Sequence, residues 1–117
     1  MSSKHRNARL TRLREQYDEL HSELSQIDYI LQGSVTQRRI PCGNPKCACT
    51  TDIEARHGPY IQWSQKKKGK TVSAYLSSEQ AVLCRAWIDN HRKLDRIIRK
   101  MRALSLRAAR IHDIPEI

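Results

Sequence analysis

Phenylalanine is missing from this 117-residue sequence, and two Trp with four Tyr make up its whole aromatic content. That scarcity excludes a large aromatic core. With 38% hydrophobic residues the chain can build a modest core, and small cores usually need a covalent or metal staple. No stretch approaches the roughly 18 consecutive apolar residues of a membrane span. The opening Met1-Ser2-Ser3-Lys4-His5-Arg6 has no apolar centre of a signal peptide, so a cytoplasmic protein with reduced thiols is expected. The P-loop, the nucleophile elbow, His-Glu-x-x-His and the zinc-deaminase pattern are all absent. No enzyme is expected.

Acids are scarce too. Lys and Arg number 22 against 12 Asp and Glu, a net charge of +10. The excess lies in the middle and the C-terminal third, and residues 59–76 hold four Lys and no acid. A folded surface of this sign attracts polyanions, above all nucleic acid.

What is present falls into a single α+β domain, residues 1–117, in three parts. In residues 1–33, Leu10, Leu13, Tyr17, Leu20, Leu24, Ile27 and Leu31 recur at steps of three and four. That stripe predicts a heptad helix over about residues 6–31, stopped by Gly33. Residues 34–76 begin with a short strand over 35–40 and continue into a segment punctuated by Pro41, Gly43, Pro45, Gly58 and Pro59. A β-hairpin follows. Ile61 and Trp63 alternate with Tyr60, Gln62 and Ser64, and Val72, Ala74 and Leu76 alternate with Thr71, Ser73 and Tyr75. Residues 77–117 predict a second helix over about 78–111, capped by Ser77 or Ser78, with a stripe of Leu83, Trp87, Leu94, Ile97, Met101, Leu104, Ala108 and Ile111. Two such helices, each on the order of 40 Å long, suggest an antiparallel coiled-coil hairpin flanking a small knuckle and β-hairpin. The same stripes also permit a homodimer.

The knuckle carries the chemistry. Cys42, Cys47 and Cys49 fall within eight residues, with Gly and Pro between them, and His57 follows in a His-Gly-Pro turn. Three thiolates and an imidazole suit a tetrahedral Zn2+ ion. Lys46, Arg38 and Arg39 favour the thiolate forms. Cys84, on the second helix, is the alternative fourth ligand. A structural ion is expected, because the only acids of the loop, Asp52 and Glu54, have nothing to fix them as a catalytic base.

The candidate nucleic-acid contacts are Arg38, Arg39 and Lys46 around the knuckle, then Lys66, Lys67, Lys68 and Lys70 at the hairpin tip. Arg92, Arg96, Arg99 and Lys100 add a basic face on the second helix. Tyr60 and Tyr75, on the polar side of the hairpin, are read as cross-strand packing, with stacking on bases as the alternative.

Cys42-Gly43, Cys47-x-Cys49, His57-Gly58-Pro59-Tyr60, Trp63, Gly69-Lys70-Thr71 and Trp87-Ile88-Asp89-Asn90 together resemble a family of short basic prokaryotic proteins of unknown function. The likeness covers about residues 34–105. Members of that family occur near transposase and other mobile-element genes. The resemblance therefore implies a DNA context, and DNA is expected over RNA as the ligand. The heptad stripes offer the alternative of an adaptor that assembles with a recombinase or transposase subunit. It also supports the Cys₃His assignment.

Overall fold

A computed structural model describes residues 2–116. The elements run α1 (Ser3–Ser25), β1 (Ser34–Ile40), two short 3-10 turns (Ala48–Thr50 and Ile53–Ala55), β2 (His57–Lys67), β3 (Lys70–Leu76) and α2 (Ser78–Ile111). The chain divides into two compact units, residues 31–89 and residues 1–30 with 90–117, and α2 contributes to both.

The first unit is built on an antiparallel sheet of order β1-β2-β3. The hairpin is thus part of a three-stranded sheet, and β1 pairs with β2 besides leading into the Cys cluster. Paired positions share a face. Val35, Ile61, Trp63, Val72, Ala74 and Leu76 lie on one face, and Thr36, Arg38, Tyr60, Gln62, Ser64, Lys66, Thr71, Ser73 and Tyr75 on the other. The alternation read from the sequence holds.

At the tip the strands run further than the sequence suggests. The loop is only Lys68-Gly69, with φ of 51° and 78°. Two positive φ values in a two-residue loop match the right-handed twist of the flanking strands, and Gly69 adopts the second without steric cost. Lys66, Lys67 and Lys70 therefore sit on strands and not in a loop.

Ser77 caps α2. Its Oγ accepts from the Gln80 N–H at 3.1 Å while Gln80 Oε1 accepts from the Ser77 N–H at 2.8 Å. This reciprocal box satisfies two donors, and such caps are worth about 1 kcal/mol. Beyond the cap the buried positions are Ala81 and Ile88, with Cys84 half-buried between them. Leu83, assigned to the apolar stripe from its spacing, is exposed. The inward face of these first turns is set by Ala81, Cys84 and Ile88 at steps of three and four, and Leu83 falls beside it.

The α1 helix ends at Ser25, six residues before the predicted stop. Its last turn tightens, with the Gln26 N–H donating to Glu23 O and the Ile27 N–H to Leu24 O. Asp28, Tyr29 and Ile30 are weak helix formers. Tertiary bonds then take over within the sheet unit: the Leu31 N–H donates to Trp87 O at 3.1 Å, and Trp63 Nε1 donates to Gln32 O at 2.9 Å. Periodicity gave way to those partners.

In the second unit α1 and the rest of α2 run in opposite directions. Arg6 donates to Ile111 O at 2.7 Å, whereas Asn90 Nδ2 donates to Tyr29 O at 2.9 Å. Leu13, Ile97 and Ile111 are its buried side chains among the described residues. The α2 helix ends with Asp113 at φ 58°, the Asp113 N–H bonded to Arg110 O and the Ile114 N–H to Ala109 O. That is a Schellman closure, followed by Pro115. No helix among the described residues is long and apolar enough to cross a membrane.

Candidate metal centre

The segment joining β1 to β2, residues 41–56, is held by local polar bonds. Asn44 Oδ1 accepts from the Lys46 N–H at 3.0 Å, and Asn44 O accepts from both the Cys47 N–H and the Thr50 hydroxyl at 3.0 Å. Asp52 Oδ1 accepts from the Glu54 N–H at 3.0 Å and starts the second 3-10 turn. Asn and Asp do this because their short side chains mimic a backbone turn. Sequence reasoning passed over Asn44 and Thr50, although the Asn44-Pro45 pair is itself a turn signal.

These turns bring four side chains together. Cys42 lies two residues beyond β1, Cys47 precedes the first 3-10 turn, Cys49 lies within it, and His57 is the first residue of β2. Their ligand atoms all lie within 4.8 Å of one another. Cys42 Sγ is 3.6 Å from Cys49 Sγ, and Cys47 Sγ is 3.4 Å from His57 Nε2. A tetrahedral ion bound at about 2.3 Å to sulfur and about 2.0 Å to nitrogen holds its ligand atoms roughly 3.5–3.8 Å apart. The cluster can hold a metal ion. Cys84 lies outside it, half-buried on α2, so His57 is the fourth member.

His57 reaches the cluster through a bulge. The register steps from Arg38↔Tyr60 to Ile40↔His57, leaving one extra residue on β2. Gly58 and Pro59 occupy that irregularity, where a missing N–H is tolerated. Gly58 has φ of 123°, and a Cβ there would stand 2.8 Å from Arg38 O. Only glycine fits this close approach.

All four cysteines are free thiols. The Cys49 backbone N–H, followed by the Cys49 and Cys42 thiols, holds the Cys47 thiol below its ordinary pKa. For Cys49 the Cys42 N–H, 3.4 Å from its Sγ, is the largest influence and acts downward. The Cys47 thiol, burial and the Cys42 thiol outweigh it and push Cys49 up. Cys47 and Cys49 thus move in opposite directions, as neighbouring thiols do when they compete for protons in a small volume.

The cationic residues predicted to contact nucleic acid are placed in both units. Arg38, Arg39, Lys46, Lys66, Lys67, Lys68 and Lys70 are exposed on the sheet and knuckle. Arg38 and Lys66 project from the polar face, while Lys67 and Lys70 pair on the opposite one. Arg39 Nη1 reaches Arg56 O at 3.5 Å. Arg56 has a buried Nε without a hydrogen-bond partner. In the helical unit Arg92, Arg96, Arg99 and Lys100 are exposed, with Arg99 Nε turned back to Asp95 O at 3.4 Å.

No curated protein and no solved structure matches the chain. The sequence profile of one family, Domain of unknown function (DUF6788), matches residues 8–86. That match takes in most of α1, the whole knuckle and sheet, and the first turns of α2. With more than half of its length matched, the chain belongs to the DUF6788 family of domains of unknown function.

Proposed function

We propose that the chain is a zinc-stabilised, basic nucleic-acid-binding protein, an accessory or regulatory factor of a mobile element working in the reducing cytoplasm. The observation that carries this reading is the charge of the sheet. Its three strands and the turn between β2 and β3 hold Arg38, Arg39, Lys66, Lys67, Lys68 and Lys70 without a single Asp or Glu. A solvated face would ordinarily interleave both signs; an acid-free one attracts phosphates. Four protein ligands around zinc leave no open position for substrate, which favours a structural ion and a binding protein over an enzyme.

Fluorescence anisotropy of the zinc-loaded protein with labelled duplex DNA, single-stranded DNA and RNA, each at two salt concentrations, tests the reading. Salt-sensitive binding to at least one ligand is expected. No binding at low salt, from a chain of charge +10, would overturn it.

A second reading makes the helical unit a coiled-coil adaptor for a second copy of the chain or for a recombinase or transposase subunit. It is favoured by an apolar groove lined by Tyr17, Leu24, Ile98, Met101 and Leu106, the last about half exposed. Sedimentation equilibrium over a wide concentration range should then show self-association. A monomer throughout removes the homodimeric form of this reading.

A further inference from the structure

The polar face of the sheet presents two aromatic rings to solvent. Tyr60 is 41% exposed and Tyr75 62% exposed. Their ring centroids lie 5.8 Å apart with planes inclined at 58°. They are diagonal neighbours, since Tyr75 pairs with Gln62 and Tyr60 pairs with Arg38 on the other side. Such a tilted contact leaves part of each ring open.

The polar residues around the rings are partly engaged with one another. Ser64 and Ser73 share a hydroxyl bond of 2.8 Å across β2 and β3. Thr36, Arg38, Lys66, Thr71 and Ser73 are all exposed, and Gln62 and Ser64 are half-buried between the strands. The face thus joins exposed aromatic rings, hydrogen-bonding side chains and two cations, with no carboxylate on any strand.

Two adjacent exposed rings offer a surface on which a planar ligand can stack, and the surroundings narrow the choice of that ligand. An apolar partner would have to desolvate Arg38 and Lys66. A duplex offers its phosphates, but its bases are stacked within the helix. A single strand offers both at once: unstacked bases for the rings and phosphates for the cations. Resting on the nucleic-acid reading above, we infer that the open face of the β1-β2-β3 sheet is a stacking platform for a single-stranded polynucleotide. Tyr60 and Tyr75 take its bases, and Arg38 and Lys66 take the backbone alongside.

DNA and RNA share this chemistry, so the test carries both. The full-length, zinc-loaded protein is titrated by anisotropy against a labelled thymidine oligonucleotide of about 15 residues, the matching uridine oligonucleotide, and a DNA duplex. The variants are Tyr60→Leu with Tyr75→Leu, and Tyr60→Phe with Tyr75→Phe. The wild type is expected to prefer a single strand, and the tighter of the two strands identifies the sugar. The Leu variant should lose about tenfold or more per ring in single-strand affinity, with an unchanged salt slope and unchanged duplex binding. The Phe variant keeps both rings and should keep the binding, which also shows that the sheet tolerates substitution there. If the wild type binds nucleic acid but the Leu variant binds single strands equally well, the platform is wrong and the nucleic-acid reading stands. If the wild type binds none of the three at low salt, both fall.

Discussion

Chelating the metal, or replacing Cys47 with Ser, is expected to unfold the knuckle. Residues 41–56 have almost nothing else to hold them. Cys49 is their one buried side chain, and Ile53, their large aliphatic residue, is 72% exposed. Their hydrogen bonds are local turns open to water, each worth about 1 kcal/mol at most. Zinc bound to finger-type peptides contributes about 10–16 kcal/mol, as much as the entire stability of an ordinary domain. Mass spectrometry under native conditions should find one ion per chain, and thiol labelling of Cys42, Cys47 and Cys49 should become fast once it is removed. Cys84→Ser is the control, because Cys84 lies outside the cluster. A Cys47→Ser protein that keeps its ion and its melting temperature would dissolve the assignment.

The second large effect is expected at the hairpin tip. Changing Lys66, Lys67, Lys68 and Lys70 to Ala removes four charges from a turn and the strand ends that flank it. Each phosphate contact contributes about 0.7 to the salt slope for a single strand and about 0.9 for a duplex. Four contacts would lower the slope by roughly 3 and the low-salt affinity on the order of a hundredfold. The geometry sharpens this. Lys66 projects from the face of Tyr60 and Tyr75, whereas Lys67 and Lys70 project from the other. A fall in slope of about 3 therefore means that the ligand wraps the tip, and a fall of about 1–2 means that it tracks one face. An unchanged slope would place the contact surface elsewhere.

Much of the site was legible in the sequence because its determinants are local. Cys42, Cys47, Cys49 and His57 lie within sixteen residues of chain, and closely spaced ligands with Gly and Pro between them have few ways to avoid one another. A helix cap at Ser77 or Ser78 and the face alternation of β2 and β3 were readable for the same reason, and the structure selects Ser77. What the sequence did not show depends on distant partners. The pairing of β1 along β2 is a register between separated segments, and the bulge at Gly58-Pro59 that aims His57 exists only within that pairing. The early end of α1 is set by the bond that the Leu31 N–H donates to Trp87 O and the one that Gln32 O accepts from Trp63 Nε1. An apolar stripe says which side of a helix is buried, not where a competing contact will stop it.

The hairpin formed by β1 and β2 has an unusual closure. Ordinary hairpins are shut by a few residues of turn, which fix the register covalently. Here the strands are joined by residues 41–56, and the last pair before the gap, Ile40 with His57, stands where the four ligand atoms gather. A loop of that length would leave the strand ends free to slide and fray. Coordination of an ion by those four residues would shorten it to the span of a few bonds, and the ion would act as a rivet at the open end of an edge strand. Separation of β1 would then begin at its other end, near Ser34, and the edge that would otherwise invite pairing with a foreign strand would be pinned where it is weakest.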